Sequence, residues 1–188
     1  YDALMVRSQT KVNRNIIEAG KKLKIIGRAG VGVDNIDVNS ATEKGIIVVN
    51  SPDGNTIAAS EHTIALMLAI SRNIVPASQS TKEGKWNRDA FTGTELFGKT
   101  LGVMGFGRIG RKVVNIALSI GMKVIVYDPF ANEEMVNKKG ALYETSLDNF
   151  LKTLDYLSIH IPKTSDTINI INKENINKMK KGAIIINC

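Results

Sequence analysis

A glycine-rich stretch near the middle of the chain, Lys99–Gly110 (KTLGVMGFGRIG), has the residue types and spacing of a dinucleotide-binding loop. A short apolar strand, Thr100–Met104, leads into Gly105, Gly107 and Gly110, and a helix is predicted to follow. The first glycine turns the chain, the second lets the backbone approach a pyrophosphate, and the third allows close helix–strand packing. The helix N-terminus offers N–H groups and a positive dipole end to phosphates.

A second predicted strand, Lys123–Tyr127, ends in Asp128, which follows Gly110 by 18 residues. An acidic side chain at this place can accept hydrogen bonds from the ribose hydroxyls of an adenosine. Asp128 is followed by Pro129 and two apolar residues, with no basic side chain beside it. A 2′-phosphate would meet a carboxylate without a nearby cation, so the sequence predicts NAD rather than NADP. An aspartate that only caps the loop is the alternative.

Further candidate ligand contacts lie in this half of the chain. Arg108 and Ile109, inside the glycine motif, offer backbone amides to a pyrophosphate. The Arg108 guanidinium could also lie against the pyrophosphate, and a solvated side chain is the alternative. His160 ends a predicted strand, ahead of Ile161 and Pro162, at an edge where a parallel sheet meets its cofactor.

A second glycine-rich loop, Gly27–Asn35 (GRAGVGVDN), follows another predicted strand. Arg28 and the amides of Gly30, Val31 and Gly32 can form an anion pocket, because successive N–H groups in a glycine turn make a concave site for negative charge. A tight turn between strand and helix is the alternative.

Four residues outside these loops need separate interpretation. Arg7 lies where the first predicted strand ends, an edge that presents ligand-binding groups in parallel sheets, and Asn55 lies just past the proposed hinge between the domains. A surface or capping role is the alternative for both. His62 lies in an apolar helix, where packing or capping is expected. Neither His62 nor His160 has a carboxylate at a spacing that indicates an acid–base pair, and no metal-ligand pattern is present.

Composition narrows the class of function. The chain has 188 residues, 43% of them apolar, and a net charge of +7. Its basic residues are mostly scattered lysines rather than clustered arginines among aromatics, so no nucleic-acid partner is expected. No apolar run approaches the roughly 20 residues that span a bilayer, and the single cysteine excludes an internal disulfide. We expect a cytoplasmic protein without a membrane partner.

The elements that must position these residues alternate between strands and helices, which predicts an α/β fold with parallel βαβ units. The predicted strands are Ala3–Val6, Leu23–Ile26, Ile46–Val49, Thr100–Met104, Lys123–Tyr127, Tyr156–Ile159 and Ala183–Asn187. The predicted helices are Val12–Ala19, Val38–Lys44, Thr56–Ser71, Val75–Thr81, Arg111–Ile120, Glu133–Lys139, Ser146–Leu151 and Lys173–Lys178. The helix Thr56–Ser71 is apolar on most of its circumference, so we expect it to be buried. The turn cluster Asn50–Asn55 is the expected domain boundary.

The chain resembles the D-isomer-specific 2-hydroxyacid dehydrogenases along essentially its whole length. The resemblance rests on VRSQTKV at Val6–Val12, GRAGVGVDNID at Gly27–Asp37, NSPDGNTIAASEHTIAL at Asn50–Leu66, GKWNRDAFTGTELFGKTLGVMGFGRIG at Gly84–Gly110 and KKGAIIINC at Lys180–Cys188. It implies a Rossmann-like doubly wound NAD-binding domain over residues 52–188. Before it, residues 1–51 would be part of a flavodoxin-like or Rossmann-like substrate domain, with the active site in the cleft between the two.

The resemblance also implies which residues line each side of that cleft. The substrate side would hold Arg7, Arg28, Gly30, Val31, Gly32 and Asn55. NAD would be bordered by the three motif glycines, Gly105, Gly107 and Gly110, and by Arg108, Ile109, Asp128, His160, Ile161, Pro162, Cys188 and Val31. Many relatives carry Thr in place of Ile161, and the isoleucine here lacks that hydroxyl.

The reaction implied by the resemblance is NAD-dependent oxidation of the C2 hydroxyl of a phosphorylated 2-hydroxy acid. Arg7, Arg28 and a basic loop with Lys85 and Arg88 favour a phosphate. A smaller acid of the glyoxylate, hydroxypyruvate or lactate type is one alternative. A non-enzymatic NAD(H)-sensing module on the same fold is another.

The chain begins and ends within predicted strands, so we expect a piece of a longer protein. The family's catalytic Arg, Glu and His would lie beyond Cys188, which leaves no catalytic residue in this chain. We therefore expect the piece to bind cofactor without turnover. Relatives usually form homodimers through the first helices of the cofactor domain, and we expect a homodimer or higher homo-oligomer here.

Overall fold

A computed structural model describes residues 1–188, which form two compact units. Unit 1 comprises Tyr1–Thr56 and unit 2 comprises Ile57–Cys188. Each unit contains one parallel sheet, so the predicted α/β architecture with parallel sheets is confirmed.

Unit 1 has a three-stranded sheet in the order β1-β2-β3. Its strands are β1 (Ala3–Val6), β2 (Ile25–Arg28) and β3 (Ile47–Asn50). Val6 pairs with Arg28, and Arg28 pairs with Asn50. The three carboxyl ends therefore lie side by side at one edge of the sheet.

Two helices connect these strands, and each begins at a side-chain cap. The Asn13 side-chain oxygen Oδ1 accepts the Ile16 N–H (3.2 Å) at the start of α1, Arg14–Ala19. The Asp37 carboxylate accepts the Ser40 N–H (2.9 Å) at the start of α2, Val38–Glu43. Such caps satisfy N–H groups that have no partner within the helix. The core beneath the helices consists of Val6, Val12, Ile17, Ile26, Ile36, Ala41 and Ile46.

Unit 2 has a five-stranded parallel sheet in the order β6-β5-β4-β7-β8. The strands are β4 (Thr100–Met104), β5 (Lys123–Tyr127), β6 (Leu142–Tyr143), β7 (Tyr156–Ile159) and β8 (Ile184–Asn187). The chain adds strands on one side of β4, then returns to add β7 and β8 on the other. This is the doubly wound Rossmann order, and it places a switch point between β4 and β7.

The remaining helices are α3 (Thr56–Ser71), α4 (Ile74–Lys82), α5 (Arg108–Ser119), α6 (Glu133–Asn137) and α7 (Leu147–Lys152). Short 3-10 helices cover Asp89–Phe91 and Ile176–Lys178. None of the helices combines the length and the apolar run that crossing a bilayer requires.

The central strand β4 is buried because its alternate side chains enter different core clusters. Leu101 and Val103 pack with α5, whereas Met104 packs with Phe150 of α7. Gly102 makes room on the second face, since a β-carbon there would lie 2.7 Å from the Phe150 ring. Cover on both faces is typical of parallel sheets and fixes where β4 ends.

The expectation that α3 is buried around most of its circumference is wrong. Ile57 and Leu68 are 52% and 39% exposed, and His62 is exposed as well. This exposure contradicts a packed role for His62, whereas the alternative capping role stays a prediction. The buried side instead includes Thr63 and Ser71, whose hydroxyls donate to the carbonyls one turn back. These local bonds satisfy the hydroxyls inside the protein and leave apolar side chains outside.

Candidate functional site

The carboxyl ends of β4 and β7 lie side by side at the switch point of unit 2. Met104 and Ile159 are paired in register, and the His160 N–H donates to the Met104 carbonyl (2.7 Å). The Gly105 N–H donates to the Tyr127 carbonyl of β5 (2.9 Å). The loops that leave all three strands therefore start at one point, where ligands bind in open α/β sheets.

The three motif glycines at this point differ in why the structure has glycine there. Gly105 has φ +97°, and a β-carbon there would lie 2.7 Å from the His160 carbonyl oxygen. A β-carbon on Gly110 would collide with the Gly105 carbonyl oxygen. No atom lies within 4 Å of a β-carbon built on Gly107. The first and third glycines thus make the packing possible, and the second faces open space.

Helix α5 begins beside that space, and two amides of its first turn have no acceptor within the helix. Gly107 is the N-cap residue without a side-chain cap bond, and Arg111 N–H donates to its carbonyl (3.0 Å). The amides of Ile109 and Gly110 precede this bond and have no acceptor within the helix. Together with the helix dipole they can hold a phosphate.

Asp128 is held against the glycine loop through both carboxylate oxygens. Oδ2 accepts the Phe106 N–H (2.7 Å) and Oδ1 accepts the Phe130 N–H (2.9 Å). The Tyr143 hydroxyl donates to the Asp128 carbonyl (2.9 Å). The aspartate does cap its loop, as the alternative interpretation holds, but each oxygen keeps a lone pair for a ribose hydroxyl.

Phe106 fixes the loop from the other side. Its ring is 3% exposed, and its carbonyl accepts the Arg111 Nε–H (2.9 Å). The Arg111 guanidinium also lies 5.2 Å from the centre of the Phe106 ring, a cation–π distance. These contacts hold the loop in place from within the protein.

A cavity of about 520 Å³ opens at this edge. It brings together the predicted residues Gly105, Gly107, Asp128, His160, Ile161 and Pro162. Sequence reasoning missed the other wall, which consists of Met104, Tyr127, Pro129, Phe130, Thr164, Asp166, Thr167 and Ile170. The Phe130 ring is 96% exposed. An apolar cavity with a few placed polar groups suits a nucleotide.

His160 lines the cavity as a neutral base. Its Nε2 lies 2.7 Å from the Ser158 hydroxyl, and burial lowers the pKa of its imidazole to about 4. A buried imidazole resists protonation because its charged form loses solvation. No carboxylate is hydrogen-bonded to it, so it lacks the partner of a typical acid–base histidine.

Other predicted cofactor residues lie outside the cavity wall. Arg108 is exposed at the first position of α5, Ile109 packs against the core, and Gly110 is buried. Cys188 follows β8, and its Sγ lies 3.0 Å from the Thr63 hydroxyl. No three His, Cys, Asp or Glu side chains come close enough to hold a metal ion.

Unit 1 places two arginines at the carboxyl edge of its sheet. Arg7 directly follows β1 and is exposed, and Arg28 ends β2 and is half-buried. Neither forms an ion pair with a carboxylate. Sequence reasoning missed Asn35, whose side chain bonds the Arg7 carbonyl and the Arg28 Nε. Its position beside Asp34, within the glycine loop, was the available signal.

The second glycine loop differs in detail from the predicted anion pocket. The Gly30 N–H donates to the Arg28 carbonyl (2.9 Å). Contrary to the prediction, this N–H is therefore not available to an anion. Val31 is half-buried, with its carbonyl bonded by the Asn50 side chain (2.6 Å), and Gly32 is exposed. Asn55 is exposed just before α3.

The basic loop after α4 is partly neutralised. Lys85 Nζ lies 2.8 Å from a Glu83 carboxylate oxygen in an exposed ion pair. Arg88 is exposed. The loop therefore offers less free positive charge than its sequence predicts.

Comparison with known proteins places this site in a family context. Residues 64–188 match the family described as D-isomer specific 2-hydroxyacid dehydrogenase, NAD binding domain. A D-3-phosphoglycerate dehydrogenase from Synechocystis is 55% identical over 188 residues, which are 100% of this chain and 34% of that protein. A hydroxypyruvate reductase from Thermotoga maritima is 51% identical over 99% of this chain and 60% of its own length.

The fold is shared with solved structures. A D-lactate dehydrogenase from Aquifex aeolicus, crystallised with NAD and lactic acid, superposes with a TM-score of 0.91 at 35% identity. The match covers 99% of this chain and 56% of that one. The predicted Rossmann-like fold is thereby confirmed. The chain spans about a third of the length of the phosphoglycerate dehydrogenase it matches.

The motif glycines give a matched pair of variants. Gly107→Ala adds a methyl group to open space at an ordinary φ of −72°, so we expect the free energy of unfolding to change by less than about 0.5 kcal/mol. The same methyl group would occupy the place of the pyrophosphate and weaken NADH binding about tenfold or more. Gly110→Ala should instead destabilise the fold by about 1–3 kcal/mol. Urea unfolding and NADH fluorescence titrations measure both quantities. Unchanged NADH affinity in Gly107→Ala would contradict the site.

The lowered pKa of His160 predicts a pH-dependent stability. An imidazole with an ordinary pKa of 6.5 when unfolded and about 4 when folded binds its proton more tightly in the unfolded state. Stability is then lost as the pH falls below about 6.5, and between pH 7 and 5 the loss should be about 2 kcal/mol. His160→Asn should remove this slope, whereas the exposed His62→Asn should retain it. Equal slopes for wild type and His160→Asn in urea unfolding would refute the assignment.

Proposed function

The chain belongs to the D-isomer-specific 2-hydroxyacid dehydrogenase family, and on that premise we propose that it is part of an NAD-dependent enzyme. The reaction is oxidation of the C2 hydroxyl of 3-phospho-D-glycerate to 3-phosphohydroxypyruvate, the first step of L-serine biosynthesis. The observation that carries the proposal is the glycine loop, with Asp128 held beside it by two backbone N–H groups. The match to a D-3-phosphoglycerate dehydrogenase along the entire chain supports 3-phosphoglycerate as the substrate.

NAD is the cofactor of the family's NAD-binding domain, which residues 64–188 match. The amides at the start of α5 would hold its pyrophosphate, and the Asp128 carboxylate would accept its adenosine ribose hydroxyls. The cavity wall of Ile161, Pro162 and Ile170 would exclude water from the adenine. Bound NAD supplies the acceptor for the hydride that leaves C2.

The substrate would be held by the unpaired arginines of unit 1. A phosphorylated 2-hydroxy acid carries a carboxylate and a phosphate, and guanidinium groups bind both in a bidentate manner. Arg7 and Arg28 are free of carboxylate partners. We assign Gly30, Val31, Gly32 and Asn55 to the same side, as their loops carry the family pattern. In this proposal residues 1–51 belong to the substrate domain and 52–188 to the NAD-binding domain, with Arg108, Ile109 and Cys188 near the cofactor.

Proton transfer requires a base that these residues do not supply. His160 is bonded to a serine hydroxyl, and His62 is exposed on α3. Neither has the carboxylate that raises the basicity of a catalytic imidazole. We therefore propose that the acid–base group lies outside these 188 residues and that the chain alone binds NAD without turnover.

Two other functions have support. The identity to a hydroxypyruvate reductase favours a smaller 2-hydroxy acid as substrate. A binding module that senses NAD(H) would use the same glycine loop without catalysis. Assays of the complete protein distinguish the three functions. NADH formation with 3-phosphoglycerate supports the proposed reaction, and NADH formation with glycerate or lactate only supports the smaller substrate. No NADH formation with any of them supports the sensing module.

NADH and NADPH titrations of the chain test the cofactor assignment. We expect NADH to bind at least about tenfold more tightly, because a 2′-phosphate would face the Asp128 carboxylate. Asp128→Asn keeps the shape of the side chain and removes its charge. The variant should therefore bind NADH more weakly, and its affinities for NADH and NADPH should differ less than those of the wild type. Asp148→Asn removes a carboxylate that pairs with Lys178 and does not line the cavity, and it should behave as wild type. Equal wild-type affinities for the two cofactors would refute the role of Asp128.

We also propose that the protein assembles as a homodimer or higher homo-oligomer through α3 and α4. The support is an exposed apolar surface that includes Ile57, Leu68 and Val75, the last of which is 71% exposed. Surface of this kind on a helix pair is typical of protein–protein interfaces. The cytoplasmic location expected from the sequence stays a prediction.

Sedimentation tests the assembly. Wild type should sediment with the mass of at least two 20.5 kDa chains, and Leu68→Glu should shift the population to monomers, because a carboxylate would be buried in the contact. Ile176→Glu places the same charge on an exposed apolar residue elsewhere and should leave the mass unchanged. A monomeric wild type at tens of micromolar would refute the proposal.

A further inference from the structure

Asn35 connects the two strand ends that carry the arginines of unit 1. Its Nδ2 donates to the carbonyls of Arg7 (3.0 Å) and Thr10 (2.6 Å). Its Oδ1 accepts the Arg28 Nε–H (3.3 Å). A single amide therefore uses both of its donors on the loop after β1 and its acceptor on the last residue of β2.

The backbone around Asn35 makes this connection rigid. The Asn35 carbonyl accepts the Val12 N–H (2.8 Å), and the Val12 carbonyl accepts the Asp37 N–H (2.9 Å). The Ala29 N–H donates to the Val6 carbonyl (2.9 Å), which keeps the two strand ends together. The side chain of Asn35 thus extends from a fixed bridge to the loop of Arg7 and to Arg28.

The Arg28 guanidinium occupies the space that a side chain at position 30 would need. A β-carbon on Gly30 would lie 3.0 Å from Arg28 Cζ and would collide with Nη1. The guanidinium thus lies over the glycine, with Nε directed to Asn35 and its terminal nitrogens left for another acceptor. This geometry fixes the fork with which arginine binds carboxylate or phosphate.

The chemistry of the residue matters as much as its place. An amide orients Arg28 through a neutral acceptor, so the guanidinium keeps its full positive charge. An aspartate of the same shape would neutralise Arg28 and would lack the two donors used on Arg7 and Thr10. Only an amide of this length supplies both functions at once.

We propose that Asn35 is a positioning residue that holds Arg7 and Arg28 in place for a substrate with two anionic groups, a carboxylate and a phosphate. This inference rests on the proposed function. Asn35 does not contact the substrate. It holds the main chain of Arg7 and the side chain of Arg28, so that two cations face one ligand with little conformational freedom to lose on binding.

Asn35 variants separate this role from mere loop stability. The chain would be titrated calorimetrically with 3-phosphoglycerate and with inorganic phosphate, and thermal stability measured alongside. Asn35→Ala removes all three bonds, and Asn35→Asp keeps the contact to Arg28 as an ion pair. Asn13→Ala is the matched control, because Asn13 caps α1 and bonds to neither arginine.

We expect Asn35→Ala and Asn35→Asp each to weaken 3-phosphoglycerate binding about tenfold or more. Asn35→Asp should also lose thermal stability, because its second carboxylate oxygen would face the Arg7 and Thr10 carbonyls in the place of a donor. Asn13→Ala should lose stability and keep its affinity. A purely structural role predicts instead that affinity follows stability across all three variants.

The outcomes distinguish this inference from the function beneath it. Wild-type binding with unchanged affinity in Asn35→Asp would overturn the positioning role alone. Affinity losses that match the loss of thermal stability, including in Asn13→Ala, would overturn it as well. A wild type that binds neither anion would refute the proposed substrate site and the role of Asn35 together.

Discussion

The close approach of α5 to β4 is the constraint on which the cofactor side of the molecule depends. Gly110 touches the Gly105 carbonyl so closely that no β-carbon fits between them. This contact brings the helix N-terminus to the carboxyl end of the central strand. It leaves Gly107 facing open space and allows Phe106 to donate to Asp128 (2.7 Å). Without it, the donors of the helix and the carboxylate of the next strand would not face one cavity.

Both units place unsatisfied polar groups at the carboxyl edge of a parallel sheet, by different means. In unit 2 the positive end of α5 and an anchored carboxylate create a dipolar site. In unit 1 the two positively charged side chains of Arg7 and Arg28 have no carboxylate partner. Groups left in this way add little to folding, and they are available to a ligand.

The sequence predicts the fold well wherever local pattern and packing agree. Strands β1, β4, β5 and β7 and helix α3 match their predicted bounds, because each is an apolar run between clear turn residues. The two-residue strand β6 was missed, since it is too short to show any periodicity. Helix α5 begins at Arg108 rather than at the predicted Arg111, because the last glycine of the motif is already helical.

The site was harder to predict than the fold for a physical reason. The motif glycines and Asp128 act through backbone geometry, which a local pattern encodes. Asn35 bonds to Arg7, which lies 28 residues earlier in the chain, and no local pattern indicates such a bond. The wall of Thr164, Asp166 and Thr167 faces the cavity through an irregular loop, which likewise has no period to detect.

The Tyr143 hydroxyl gives the shortest strand a part in recognition. Strand β6 lies at the edge of the sheet, yet its tyrosine donates to the carbonyl of Asp128 (2.9 Å). The residue that would bind the ribose is therefore held from the edge strand as well as from the buried Phe106. A change confined to the Tyr143 hydroxyl, such as Tyr143→Phe, would therefore loosen the Asp128 backbone and leave the packing of the ring in place.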